Sequence, residues 1–224
     1  MKVLMLILGG GDGFYETLRE FCWGSYINSK PDEIEAYFYR GDPNLETPYE
    51  INGNMLTVKC HDGYWHVVKK LQMALAAFEH RFHEFDYICR PNLSSFLIFD
   101  RYLKALEGRP TKEFCYAVCN THPCGFPSGC GFTITPDIAK EYIYNAPQIG
   151  CEGGDDVSMG ELLAKQKIPI IPAPRIDITL ERDWPRLEAL DTDITVFHVR
   201  IKHQSNRAVN DIAIWRKLLN KFYN

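Results

Sequence analysis

Two hydrophobic periods take turns along the first half of this chain. An apolar run over 1–8 breaks at Gly9-Gly10-Gly11-Asp12-Gly13, which predicts a central strand followed by a glycine turn. Tyr15, Leu18, Cys22 and Tyr26 then share one helical face. Residues 34–39 form a second strand, closed by the turn Arg40-Gly41-Asp42-Pro43, and 55–60 a third. The clearest helix is 64–82, with Val67, Leu71, Ala74, Leu75, Phe78 and Phe82 on one stripe and Lys69 and Lys70 in its first half. Residues 85–89 read as a buried strand that stops at Pro91. After the polar corner Arg90-Pro91-Asn92, Ser94 and Ser95 open a helix carrying Phe96, Phe99, Leu103 and Leu106 as far as Gly108.

The second half is less regular. A strand over 114–119 leads into a Gly/Pro/Cys loop over 120–131, then a short extended piece over 132–134. Thr135-Pro136-Asp137 starts a helix, with threonine as cap and proline at the first position. A polar loop holds Glu152-Gly153-Gly154-Asp155-Asp156, and a helix follows over about 157–166. Strands at 168–171 and 194–201 precede a terminal helix over 208–222, with Ile212, Trp215, Leu219 and Phe222 on one face. Strands alternating with helices imply a parallel sheet. No linker-like segment and no repeat interrupts the chain. The expectation is an α/β fold: one domain over 1–224 with a mixed, mostly parallel central sheet flanked by helices. Its nucleotide-binding half spans about 1–110 and its substrate-binding half about 111–224.

Composition narrows the class. Hydrophobic residues make up 46% of 224, enough for a sizeable core. A net charge of −4 and a pI near 6.0 argue against nucleic acid or an anionic membrane as the main partner. The apolar start is too short for a signal peptide, and no stretch reaches the ~18 apolar residues of a transmembrane segment. A cytoplasmic protein is expected, of a cell or of a virus's host cell. Of eight cysteines, Cys115, Cys119, Cys124, Cys130 and Cys151 cluster around His122, without a Cys-x-x-Cys pair. Reduced thiols, a loop disulfide and a zinc module on Cys115, Cys119, His122 and Cys124 are all open on spacing, with buried thiols favoured for Cys115 and Cys119.

Three polar places suit chemistry. Arg90-Pro91-Asn92 stands where open α/β sheets bind ligands, at a strand end. Asp155-Asp156, after Gly153-Gly154, lies at a helix start, which stabilises carboxylate anions; a carboxylate there can accept a proton. On the strand over 194–201, alternation puts His198, Arg200 and Lys202 on one side, as an anion site for a diphosphate would require. The turn at Gly9 and Gly10 lacks the third glycine of a dinucleotide fingerprint, since Phe14 stands there.

The ordered set Arg-Pro-Asn-Leu-Ser-Ser-Phe, Ser-Gly-Cys-Gly-Phe-Thr-Ile-Thr-Pro-Asp, Gly-Gly-Asp-Asp-Val-Ser-Met-Gly and Phe-His-Val-Arg resembles GT-A-fold glycosyltransferases. The match is to the inverting fringe-like and β-galactosyltransferase-like group, and to small relatives in large DNA viruses and bacteria. The resemblance implies a nucleotide-sugar donor and a glycan, lipid or protein acceptor. It implies Asp156 as general base supported by Asp155, with Ser128, Gly129, Cys130 and Gly131 near the sugar and acceptor. Donor contacts fall to Arg90, Asn92, Ser94, His198, Arg200 and Lys202, with Gly9, Gly10 and Lys70 near the nucleotide. The family's Asp-x-Asp corner, which holds the donor through Mn²⁺ or Mg²⁺, matches Asn92 and Ser94, with His198 as a further metal ligand. Hard cations want anionic oxygens. Either a metal is held weakly here, or Arg90, Arg200 and Lys202 replace it. Two other classes stay open: another nucleotide-dependent transferase (a methyltransferase or nucleotidyltransferase), and the zinc module.

Overall fold

The computed structural model describes residues 1–11, 13–119, 125–145 and 154–223. Its strands are β1 (Val3–Leu8), β2 (Ile34–Gly41), β3 (Tyr49–Asn52), β4 (Met55–Val58), β5 (Tyr87–Pro91), β6 (Ser95–Leu97), β7 (Cys115–Cys119), β8 (Pro127–Ile134), β9 (Ile170–Pro172), β10 (Arg175–Ile178) and β11 (His198–Ile201). Its α-helices are α1 (Phe14–Ser25), α2 (Val67–Phe78), α3 (Phe99–Leu106), α4 (Pro136–Asn145), α5 (Asp155–Gln166), α6 (Ala189–Thr192) and α7 (Arg207–Phe222). The architecture is α/β, with a large, mostly parallel sheet flanked by helices. The chain divides into two compact units, each built from three separate segments.

The first unit comprises Met1–Gly11, Glu33–Asn92 and Pro110–Ala173. It holds an eight-stranded sheet in the order β3-β4-β2-β1-β5-β8-β7-β9. The apolar run of β1 sits centrally, parallel to both β2 and β5. Beyond β5 the sense changes: β8 pairs antiparallel with it, Arg90 opposite Phe132 and Pro91 opposite Gly131. Helices α2, α4 and α5 bury Leu71, Leu75, Phe78, Ile138, Tyr142, Met159 and Leu162 in the same core as Leu4, Leu6, Tyr39 and Ile88 of the sheet. Each such large side chain contributes about 1.5–3 kcal/mol on leaving water. The predicted stripe on 64–82 is buried throughout. Its ends tighten into 3-10 turns, at Tyr64–His66 and Glu79–Glu84, as helix ends often do.

The second unit comprises Asp12–Asp32, Leu93–Arg109 and Pro174–Asn224. Its sheet runs β10-β11-β6, with β10 parallel and β6 antiparallel to β11. An aromatic core gathers Tyr26, Phe96, Phe99 and Trp215; Tyr26 stacks on Phe99 at 4.8 Å between ring centres. Its hydroxyl donates to the Leu97 carbonyl at 2.9 Å and accepts the Leu97 N–H at 2.8 Å.

Several expectations change. Ser94 and Ser95 do not open a helix. Phe96, Leu97 and Ile98 are buried in succession, which a helical stripe does not permit, and β6 pairs with β11 before α3 begins at Phe99. The apolar face of α7 is turned to include Asp211, which is wholly buried and accepts the His203 N–H and the Arg207 guanidinium. Ile212 and Phe222 are accordingly only half-buried. The Thr135 hydroxyl accepts the Phe114 N–H at 3.2 Å, a tie between β7 and the start of α4. Cys119 is disulfide-bonded, contrary to the buried thiol expected, while Cys22, Cys60, Cys89, Cys115 and Cys130 are thiols. His122, Cys124, Cys151, Glu152 and Gly153 lie outside the described residues.

Candidate functional site

In the first unit, the end of β5, the middle of β8 and the start of α5 meet around one buried arginine. Arg90 is the fourth residue of β5 and almost wholly buried. One terminal nitrogen lies 2.6 Å from an Asp155 carboxylate oxygen, the other donates to the Gly129 carbonyl at 2.6 Å, and Nε donates to the Tyr39 hydroxyl at 3.3 Å. Asn92 joins the group by donating its amide to the same Gly129 carbonyl at 2.9 Å. Burial opposes the charge on Arg90, but Asp155 and Tyr39 hold its proton more firmly than usual. Burial also pushes the Asp155 carboxyl up, against the pull of Arg90.

Asp156 differs from its neighbour. It lies in the first turn of α5, is half-buried, and its Oδ1 accepts the Val157 N–H at 3.0 Å. A side chain on Gly129 would place its first carbon 2.6 Å from Asp156 Oδ2. Only glycine at 129 therefore lets this carboxylate lie against β8. The buried pair anchors the α5 start to the sheet, and the next residue lays a half-buried carboxylate against Gly129 of β8. That arrangement suits proton acceptance from a bound hydroxyl.

A second constellation pins the loops that follow β1, β2 and β4. The Asp62 carboxylate accepts N–H bonds from Gly11 and Gly41, both at 2.9 Å, and pairs with Lys70 at 2.5 Å. Burial raises its carboxyl, but Lys70 and the two N–H donors outweigh that and leave it below the ordinary carboxylate range. Lys70, expected beside a diphosphate, is buried and donates to both the Asp62 carboxylate and its carbonyl. Gly9 is tied by its N–H to the Tyr39 carbonyl, and Gly10 packs so closely on Asp62 that a side chain there would displace its carboxylate. Nothing in the periodic pattern singles out Asp62; its sequence signal is only the lysine eight residues on.

The structure thus brings Arg90, Asn92, Gly129, Asp155 and Asp156 together. Ser128, Cys130 and Gly131 belong to the same strand, β8, where all three are buried instead of forming a loop. The remaining expected residues belong to the second unit. The Ser94 hydroxyl accepts a hydrogen bond from Arg207 at 3.0 Å. Of the basic trio, His198 is buried, and burial, with the nearby Arg175 and Arg200 charges, pulls it down to about 3. It is a neutral imidazole at ordinary pH, not the cation expected for a diphosphate. Arg200 lies 3.8 Å from Asp177, and Lys202 stands exposed beyond the strand end.

A hard divalent cation does not fit the corner after β5. Asn92 offers an amide already engaged through its nitrogen, and Ser94 a hydroxyl facing a guanidinium. Among the described residues, no three His, Cys, Asp or Glu side chains converge as a metal site. The zinc module loses Cys119, since a disulfide sulfur is no thiolate. Burial pushes the Cys115 thiol up to about 12.

No protein-family model matches the chain, and no curated protein matches it in sequence. Solved structures do. A glycosyltransferase involved in the glycosylation of the major capsid of PBCV-1 aligns over 96% of this chain and 100% of its own, with a TM-score of 0.56 and 8% identity. The fold is that of a glycosyltransferase. The galactosyltransferase LgtC, in complex with donor and acceptor sugar analogs, aligns over 100% of this chain and 97% of its own; its TM-score of 0.44 and 10% identity are too distant to carry an inference. Among the described residues no helix is long and apolar enough to cross a membrane.

Proposed function

We propose that this protein transfers a sugar from a nucleotide-diphosphate sugar to a hydroxyl of a glycan, lipid or protein acceptor, with inversion, in the manner of the fringe-like group. The observation that carries the reading is Asp156. A half-buried carboxylate stands in the first turn of α5, packed on Gly129 and footed on the Arg90–Asp155 pair, in a chain with a glycosyltransferase fold. In one step, Asp156 takes the proton of the acceptor hydroxyl as that oxygen bonds to the anomeric carbon. The bond from that carbon to the diphosphate oxygen breaks on the opposite face, and its electron pair leaves with the nucleoside diphosphate. One carboxylate base on the attack side suffices for inversion. Arg90 acts by holding α5 in place, because its donors are already engaged within the protein. The catalytic step proposed here uses this chain's own groups and routes nothing through a metal.

Asp156→Asn tests the reading. General-base removal should cost about 10²–10⁴-fold in turnover. Nucleoside diphosphate binding, followed by calorimetry, should stay within about twofold. The anomeric configuration of the product, read by NMR, should be opposite to that of the donor. Near wild-type turnover in Asp156→Asn, or a product that retains the donor's configuration, refutes it. The methyltransferase reading is weakened by the first turn, where the Gly11 N–H is already bonded to Asp62.

A further inference from the structure

The first unit displays two large aromatic side chains in water, and one of them, Tyr64, comes close to Asp156. Tyr64 is 69% and Trp65 76% exposed, the two most exposed large hydrophobic side chains among the described residues. They occupy the 3-10 turn that precedes α2, and their rings meet edge-on with centres 5.7 Å apart. The Tyr64 hydroxyl and Asp156 Oδ1 both come within 4 Å of the point where a side chain on Gly154 would begin. The aromatic turn and the carboxylate therefore border the same glycine. His61 and His66 flank the pair, their rings 5.1 Å apart, His61 exposed and His66 half-buried. Tyr39, Tyr87, Tyr142, Phe78 and Phe132 of this unit are core residues, each at most 2% exposed, while Tyr49 on the edge strand β3 and Tyr144 on α4 are exposed away from any carboxylate of the site.

We infer that Tyr64 and Trp65 form the acceptor subsite, a ledge on which a pyranose or furanose ring of the acceptor stacks with one hydroxyl turned to Asp156. Exposed apolar surface beside a polar reacting group marks a binding place. A sugar ring matches this one. Its C–H face is apolar enough to cover an aromatic ring, and its rim of hydroxyls meets the imidazoles of His61 and His66 and the carboxylate of Asp156. A lipid chain would leave those polar groups without partners. The inference rests on the transferase reading for the word acceptor, and it narrows the acceptor class to a carbohydrate.

The test uses the full chain and a panel of methyl glycosides of glucose, galactose, mannose, N-acetylglucosamine, rhamnose, fucose and xylose. Ligand-observed saturation-transfer NMR reports binding and which C–H protons touch the protein. At least one glycoside should bind through one face of its ring, with affinity at least tenfold weaker in Trp65→Ala and within about threefold of wild type in Trp65→Phe. Circular dichroism melts should be unchanged in both variants, since a side chain so exposed adds little to stability. No binding by any glycoside, equal binding in Trp65→Ala, or protection of Trp65 fluorescence by UDP or GDP instead of by sugars overturns the ledge. The two readings fail separately. Sugars that bind through Trp65 without turnover of any nucleotide sugar would support the ledge and sink the transferase. Turnover with an acceptor KM indifferent to Trp65→Ala would do the reverse.

Discussion

Replacing Arg90 by methionine removes the centre of the candidate site without enlarging it. Three consequences follow from the geometry. The Asp155 carboxylate, 3% exposed, loses the guanidinium 2.6 Å away. The Tyr39 hydroxyl loses a weak donor at 3.3 Å. The Gly129 carbonyl keeps a partner, because Asn92 donates to it as well. The cost is therefore chiefly that of one uncompensated buried charge, about 3–5 kcal/mol. For a chain of 224 residues this lowers the melting temperature by about 6–20 °C. The penalty is pH-dependent, and its sign is fixed. Without Arg90 the Asp155 carboxyl rises further above its unfolded value of about 3.9, so the folded state holds a proton that the unfolded state releases. Stability of Arg90→Met should then fall as pH rises from about 4, and acidification from pH 7 to 5 should restore more of it than in wild type. The double variant Arg90→Met/Asp155→Leu should recover most of the loss, having no orphaned charge. Urea unfolding followed by circular dichroism at pH 5 and 7 measures all three proteins. A loss below about 1 kcal/mol in Arg90→Met, or a loss that does not vary with pH, would show that Asp155 is reached by water and that the pair does not anchor α5.

Two further expectations concern groups outside the proposed chemistry. His198 should keep its imidazole neutral from pH 8 down to about 4, visible as flat ring proton shifts in NMR; a midpoint near 6.5 would contradict its burial. Because its folded value lies below the unfolded one, the stability it contributes is whole above about pH 6.5 and is lost as pH falls toward about 3. Lys70→Met should cost about 1.5–3 kcal/mol by leaving the Asp62 carboxylate to two backbone donors. Asp62 is held below its ordinary value, so this deficit should shrink as pH drops below about 4; urea titrations at pH 3.5 and 7 that show the same deficit would rule out the pairing.

Much of the fold was legible because burial writes a period into the chain. The stripe from Val67 to Phe82 and the runs of β1, β2 and β5 declare themselves, since each must present one apolar face or two. Elements without that constraint stayed hidden. All four residues of the edge strand β3 are exposed, so no alternation marks it; it is visible only through its pairing with β4. β6 reads as a helix start in sequence because a three-residue strand next to a helix looks like one more turn of it; only its distant partner β11, with Leu97 opposite His198, distinguishes the two. The resemblance to glycosyltransferases carried the fold further than periodicity did, and the likeness in three dimensions agrees with it at 8% identity.

The site was legible in its residue types and not in their pairings. Asp155 and Asp156 are adjacent and identical in sequence, yet α5 turns one inward to Arg90 and the other to the Gly129 surface. Which is which follows from the helix starting at Asp155, two residues earlier than the apolar pattern suggested. The same holds for the cations. Arg90 and Lys70 both suit a phosphate by type, but each is paired with an aspartate of its own unit, Asp155 and Asp62, as Arg207 is with Asp211. A chain with 25 basic and 29 acidic residues can satisfy buried cations internally, and burial makes it do so, because an unpaired charge there would cost several kcal/mol. Basic residues in a chain like this are therefore better read first as ion-pair partners. Those with exposed ends, such as Lys202, are the ones left for a ligand. By the same reasoning, of the two adjacent aspartates it is Asp156 to which the proposed chemistry falls, since Asp155 is already paired with Arg90.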